Sequence, residues 1–371
     1  MRYPRFRSAL GALMLLVASL PLLRAAPAEA VQKWDALMNE SVKALKTNHL
    51  GDAIRRCDEA SGLARGFGPD DTHLARSEVL RAEIFMWEKD NPRAEAMFKQ
   101  AVATCERAVG CEHPEVVHPL VSLANFYYFV DVHYDRVAAL FERVLGIVER
   151  TPAHDPRQEI LWCRNLGLVY QQMGRFDQAE PLFNRAVDLA AKTDPLWLPH
   201  EELTAAAFFR AWGKTDRAAT LAERALAQRE QVLVVAPQDA DAKLDLAVTL
   251  DELTEIHLVA AQPDAAEKTA RRSLAVVESF MAPDQPELVP RLAGLAAALQ
   301  ARARYAEALP LLERAISLAE KNLGPTSAEL APLLARYSSL LQALERPAEA
   351  AQAQARADSI RQQMAAARNQ S

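Results

Sequence analysis

The sequence predicts an all-α protein built as a solenoid of about eight stacked helical hairpins. Glycine supplies only 12 of the 371 residues and aromatic residues 6%, whereas large sheets need turn glycines and many β-branched or aromatic residues. Apolar residues recur at helical spacing, for example Leu166, Val169 and Tyr170. A motif also repeats about every 42 residues, which favours one array of stacked units over two or three separate domains.

The first 30 residues have the layout of a secretory signal peptide. Arginines lead, residues 8–23 are uncharged and mostly apolar, and Ala28-Glu29-Ala30 offers a small-x-small cleavage site. We therefore expect residues 1–30 to be removed and the product to be periplasmic or secreted, most simply from a Gram-negative bacterium. The alternative is an inner-membrane anchor formed by an uncleaved signal, although 16 apolar residues are short for a span of about 20.

Eight copies of one frame define the hairpins. The clearest copy has a small anchor residue, Ala179, followed by Phe183 and Ala186. The eight anchors are Ala53, Ala94, Val137, Ala179, Ala218, Ala266, Ala308 and Ala350, spaced 41, 43, 42, 39, 48, 42 and 42 residues apart. The predicted solenoid covers residues 31–362, in units of about 34–67, 68–109, 110–151, 152–193, 194–235, 236–281, 282–323 and 324–362. A flexible tail is expected at 363–371.

Two irregularities in the spacing predict local changes. The long step before Ala266 places an insertion in the lead-in at residues 237–242, and the step of 43 adds one residue to the turn of the third unit. The four cysteines form no CxxC pair. Cys105 and Cys111 are close enough to form a disulfide if the chain turns between them. Otherwise the cysteines are small buried apolar residues.

The frame Leu166-Gly167, Tyr170, Gly174, Phe176, Ala179, Phe183 and Ala186 resembles a tetratricopeptide repeat. The longer period and the Gly-Pro-Asp or His-Pro-Glu linkers are similar to the kinesin-light-chain-like subclass, over residues 34–360. The resemblance implies a right-handed superhelix whose first helices line a concave groove. It also implies a scaffold for protein–protein interaction, without naming a partner.

First-helix positions that packing does not use are the candidate groove residues. They are Met86, Trp87, Asn125, Tyr128, Phe129, Arg164, Asn165, His200 and Arg210, with Arg76, Glu83 and His118 as further such positions. Amides can grip a peptide backbone, and aromatics give apolar contact at low entropy cost. The resemblance assigns the gripping role to Asn125 and Asn165. The alternative is that the asparagines are solvated and the aromatics belong to the core. The acidic run Asp251, Glu252 and Glu255 is expected to be a solvated face.

The sequence carries no HExxH, GxSxG or glycine-rich phosphate loop. We therefore expect no catalytic, cofactor or metal site. The expected partner is a protein or peptide. Net charge of −6 makes nucleic acid a poor partner, and no stable membrane insertion is expected after signal cleavage. The alternative function is an envelope assembly or secretion accessory, or a regulatory subunit of a separate enzyme, acting through convex or terminal surfaces.

Overall fold

The computed structural model describes residues 27–152 and 154–369, which form sixteen α-helices and no strand. The first eight helices are α1 (Ala28–Lys46), α2 (Leu50–Ala64), α3 (His73–Trp87), α4 (Asn91–Val109), α5 (Val117–Phe126), α6 (Tyr134–Arg150), α7 (Pro156–Gln172) and α8 (Phe176–Thr193). The others are α9 (Leu198–Ala211), α10 (Thr215–Val235), α11 (Ala240–Val259), α12 (Pro263–Glu278), α13 (Leu288–Ala301), α14 (Tyr305–Leu323), α15 (Leu330–Ala343) and α16 (Pro347–Asn369). A 3-10 turn, Pro114–Val116, precedes α5 and a π-turn, Tyr127–Asp131, follows it.

The helices are arranged as consecutive hairpins, which confirms the predicted all-α repeat solenoid. Contacts group the chain into two compact units, Met1–Ala186 and Val187–Ser371. In the first unit, consecutive helices from α1 through α7 pack against each other in pairs. In the second unit, the same holds for consecutive helices from α9 through α16. Each hairpin therefore covers the apolar face of its neighbour, as a stack of repeats requires.

The two ends of the chain bear on the boundary predictions. Most of the predicted signal peptide, residues 1–26, lies outside the described residues. Helix α1 begins at Ala28, so cleavage after Ala30 would remove its first three residues. At the other end α16 continues to Asn369, so the helix covers most of the segment predicted as a flexible tail. No described helix is long and apolar enough to cross a membrane.

Every hairpin turns at a residue with a left-handed backbone. These residues are Asn48, Lys89, Val132, Gly174, Gly213, Ala261, Ala303 and Glu345, with φ between 49° and 82°. Each stands five positions before its anchor, so the turns repeat the irregular anchor spacing step by step. Only two are glycine, although this conformation costs other residues about 1–2 kcal/mol. The tight helix pair therefore enforces the turn geometry in the other six hairpins.

Small residues let the paired helices approach closely. A Cβ added at Gly167 of α7 would lie 3.0 Å from the ring of Phe183 on α8. Ala82, Ala124, Ala206 and Ala296 occupy the equivalent position in other hairpins and are all fully buried. The alanine-rich composition is thus a packing requirement of the hairpin.

The two irregular spacings are absorbed largely by helical residues. The extra residue of the third hairpin lies in the π-turn Tyr127–Asp131, a common way to insert one residue into a helix. The insertion predicted in the lead-in at 237–242 lies partly in the connection and partly in a helix: residues 240–242 form the start of α11, and α10 and α11 run for 21 and 20 residues. Asp239 caps α11 by accepting hydrogen bonds from the amides of Asp241 and Ala242, so only four residues connect the two helices.

A ladder of ion pairs joins successive second helices. In each rung an arginine six positions after one anchor contacts a glutamate twelve positions after the preceding anchor, at 2.5–2.8 Å. The rungs are Arg143–Glu106, Arg185–Glu149, Arg272–Glu230, Arg314–Glu278 and Arg356–Glu320. We call these five pairs the second-helix ladder. Each rung links one hairpin to the one before it.

All four cysteines are free thiols. Cys105 is buried at 1% exposure, whereas Cys111 is exposed, so the possible disulfide between them is not formed. Burial raises the pKa of the Cys57 and Cys105 thiols to about 12. Cys57, Cys105 and Cys163 therefore behave as small buried apolar residues.

Candidate functional site

Helices α3 and α5 each present a stripe of residues on a face that the core does not fully cover. On α3 the stripe is Arg76, Glu83 and Trp87, with spacings of seven and four that keep side chains on one side of a helix. On α5 and its π-turn the equivalent residues are His118, Asn125 and Phe129. Both stripes share one register, because Glu83 and Asn125 directly follow the buried residues Ala82 and Ala124. We call these six residues the α3–α5 face.

Electrostatic effects between the two helices agree with this register. Burial and the neighbouring Arg76 charge lower the pKa of His118 to about 4, and its Nδ1 atom is buried with no hydrogen-bond partner in the described ranges. Burial also lowers the pKa of Arg76, although Asp35 on α1, Glu115 and Asp71 oppose this. The Arg76 guanidinium lies 5.0 Å from the ring centre of Trp34, which holds it against the core.

Glu83 is the unusual residue of this face. It keeps part of its surface open to solvent, yet burial raises the pKa of its carboxyl to about 7. Within the described part of the chain, its side chain makes no hydrogen bond or ion pair. A desolvated carboxyl without a compensating partner is energetically unfavourable when ionised, so the fold tolerates this group without stabilising its charge.

The structure separates the predicted aromatic residues into exposed and packed ones. Trp87 is 42% exposed and Phe129 47%. Tyr128 is partly buried and packs edge-on against Phe129 and Tyr134, with ring centres 4.9 and 5.7 Å apart. Met86 is also partly buried. Trp87 and Phe129 thus offer apolar surface to a partner, while Tyr128 helps to hold Phe129 in place.

The two predicted asparagines are available but not equivalent. Asn125 and Asn165 are partly buried, and neither side chain makes a hydrogen bond among the described residues. Asn125 follows Ala124 by one residue, whereas Asn165 precedes the equivalent Gly167 by two. The two asparagines therefore occupy different positions of the repeat. The residue of α5 equivalent to Asn165 is Ser122, whose hydroxyl donates a hydrogen bond to the His118 carbonyl.

The remaining candidates divide between the two units. Arg164, in the first, is partly buried, and His200, in the second, is exposed. Arg210 makes a bidentate ion pair with Glu252 on α11, at 2.6 and 3.1 Å, so its charge is already balanced within the fold. This pair was not predicted from the sequence, although two opposite charges 42 residues apart were a usable signal.

The expectation that the acidic run of α11 is a solvated face is wrong for two of its three residues. Glu252 pairs with Arg210. Asp251 lies 2.9 Å from the buried Arg291 on α13 and accepts a hydrogen bond from Ser273. These carboxylates bind neighbouring helices because the arginines would otherwise be buried without a counter-charge. Within the described residues, no group of three or more His, Cys, Asp or Glu side chains could hold a metal ion.

Comparison with known proteins agrees with the repeat geometry. A tetratricopeptide repeat family model matches residues 157–231 and 288–363, and a second tetratricopeptide repeat model matches 84–115. The chain carries tetratricopeptide repeats. Matched and unmatched hairpins share the same turn position and small-residue packing, so the repeat extends beyond the matched segments. A search of curated proteins found no match.

Two solved structures with a TM-score of at least 0.50 are similar in fold. A signal transduction ATPase with a tetratricopeptide repeat sensor from Pyrococcus horikoshii has a TM-score of 0.55 and 16% identity, over 77% of this chain and 42% of that one. The apo form of RapI has a TM-score of 0.50 and 11% identity, over 90% and 98%. BtubC (BKLC) from P. vanneervenii has a TM-score of 0.48 and 17% identity, over 67% of this chain and 92% of that one. At these identities the likeness concerns the fold alone.

Proposed function

We propose that this tetratricopeptide protein is a non-catalytic scaffold that binds a peptide segment of a partner protein along its first helices. The observation that supports this most is the α3–α5 face, where the exposed rings of Trp87 and Phe129 flank the unbonded amide of Asn125. Large exposed apolar residues that the fold itself does not need are typical of interaction surfaces.

The chemistry of the face suits an extended peptide. An amide can donate to a backbone carbonyl and accept from a backbone N–H, so Asn125 can bind main chain of any sequence. Aromatic side chains lose little conformational freedom on binding and bury much area. Specificity then comes from the partner's side chains at Trp87 and Phe129. This division of roles fits a scaffold that binds a partner without catalysing a reaction.

Alanine substitution of the face tests this function. Trp87→Ala with Asn125→Ala should remove the partners recovered by cross-linking and mass spectrometry from the native envelope, while far-UV circular dichroism stays unchanged. Leu196→Ala is the matched control, because Leu196 is 85% exposed in the second unit and its truncation should leave the partners in place. An unchanged partner list in the double variant would rule out binding through this face.

We also propose that the protein is exported to the periplasm or secreted, on the basis of the basic lead, apolar stretch and small-residue motif in residues 1–30. Cell fractionation with intact mass measurement tests this. A product beginning at Val31 in the periplasm or medium is expected. A full-length product in the inner membrane would favour the uncleaved anchor instead.

A second candidate is an accessory of an envelope assembly or of a separate enzyme, contacted through the end of α10. Val232, Val234 and Val235 are 46%, 81% and 86% exposed there, on the helix that the insertion lengthens. Val234→Ser with Val235→Ser should then release the partners that the Trp87 and Asn125 variant retains. Partners that remain bound to both variants would exclude the α10 end.

A further inference from the structure

We propose that the α3–α5 face recognises a lysine or arginine side chain of the bound peptide, with Glu83 as the acceptor and Trp87 as the neighbouring apolar contact. This inference rests on the proposed function and adds the chemistry of the partner. It follows from one carboxyl that the fold places on this face and leaves without a counter-charge.

The charge balance around Glu83 is incomplete. Arg76, two turns earlier on the same stripe, is directed to Trp34 and interacts with Asp35, Asp71 and Glu115. Arg81, two residues before Glu83 in the chain, pairs instead with Asp58 at 3.0 Å. Most other acidic side chains with little exposure have a partner, as Glu267 does with three arginines. Glu83 therefore differs from the structural carboxylates of this fold.

A basic side chain would meet the needs of this carboxyl. The raised pKa of Glu83, about 7, comes from desolvation, which an arriving cation would offset through a charge-assisted hydrogen bond. The ring of Trp87 stands one helical turn beyond Glu83 and can pack against the methylene stem of a lysine or stack on a guanidinium. Glu83 and Trp87 together are thus complementary to one long cationic side chain, or to a basic residue and a nearby apolar residue.

The spacing of the two sites matches an extended peptide. Residues four apart on a helix are separated by about 6 Å along its axis. Side chains two apart on an extended chain point the same way and lie about 6.6 Å apart. A basic residue with an apolar residue two positions away therefore satisfies Glu83 and Trp87 together. Asn125 lies on α5, which contacts α3, and its amide would bind the peptide backbone.

Peptide selection on the full chain tests the inference. A random heptapeptide library on phage would be panned against the wild type, Glu83→Gln, Trp87→Ala and Glu88→Gln. Glu88 is exposed at the end of the same helix and serves as the matched control. Wild type and Glu88→Gln should enrich lysine or arginine two positions from an apolar residue, and Glu83→Gln should not. A selected peptide should bind Glu83→Gln at least tenfold more weakly than wild type. The same peptide with norleucine in place of its basic residue should bind wild type and Glu83→Gln equally.

Two other outcomes would overturn the inference and are distinguishable. Peptides that depend on Trp87 but show no basic preference, and bind Glu83→Gln as well as wild type, would leave the proposed function standing and refute the role of Glu83. Peptides whose binding is unchanged by Trp87→Ala would refute the α3–α5 face as a peptide site, and the inference with it. Glutamine has the shape of the neutral glutamic acid that the fold favours, so misfolding does not explain a loss of binding.

Discussion

Replacing Glu83 by glutamine should stabilise the protein at neutral and alkaline pH and leave its stability nearly unchanged in mild acid. Burial raises the pKa of Glu83 from 4.5 to about 7. The unfolded chain releases the proton near pH 4.5, whereas the folded chain retains it until about pH 7. Ionisation therefore destabilises the fold progressively across this window. At 1.36 kcal/mol per pKa unit the full penalty is about 3 kcal/mol above pH 7.

Urea unfolding at pH 4.5, 6 and 8 measures this dependence. The difference in free energy of unfolding between Glu83→Gln and wild type should rise from below about 0.5 kcal/mol at pH 4.5 to about 3 kcal/mol at pH 8. Tryptophan fluorescence can report it, because Trp34 and Trp87 lie in the affected unit. Glu88→Gln should show no such trend. A pH-independent difference for Glu83→Gln would refute the idea that this carboxyl is desolvated and unpaired.

Three further substitutions probe the turns and the ion pairs. Val132→Gly should stabilise the fold by about 1 kcal/mol in thermal unfolding, because a β-branched residue is strained at φ 49°; a loss of stability would contradict this. Arg314→Ala should change stability by less than about 1 kcal/mol in low salt and less still in 0.5 M salt, since its pair with Glu278 is surface-exposed. Glu267→Gln should destabilise by at least about 1 kcal/mol at pH 7. Burial alone would raise the pKa of Glu267, but hydrogen bonds from three arginines lower it to about 2. The destabilisation by Glu267→Gln should therefore fade as the pH falls from 4.5 toward 2. A destabilisation that persists at pH 2 would argue against those hydrogen bonds.

The repeat could be predicted from sequence because it rests on packing between small and aromatic residues at fixed spacing. Ala179 and Phe183 mark one hairpin, and the same frame located all eight. The sequence could not predict how the helices accommodate the irregular spacings. The extension of α10 and α11 depends on contacts such as the hydrogen bonds from Arg229 to the Asp245 carbonyl and to Thr249.

For the candidate site, exposure was easier to predict than charge balance. First-helix periodicity predicted that packing does not use Trp87 and Asn125, and the structure leaves the first exposed and the second partly buried. Whether a charged residue on such a face is free depends on neighbouring helices, which a single sequence does not align in space. Arg210 and Glu83 illustrate this: the first is paired with Glu252, and the second is left unpaired.

The second-helix ladder makes the array tolerant of changes in repeat number. Arg314 and Arg356 stand 36 residues after Glu278 and Glu320 respectively. Excision of residues 282–323 would bring Arg356 to the same distance from Glu278. The buried Leu288 and Leu292 would be replaced by Leu330 and Leu334, which are also buried. We expect such a shortened chain to keep the same helical content per residue by circular dichroism, because the loss of this repeat leaves every remaining ladder arginine opposite a ladder glutamate.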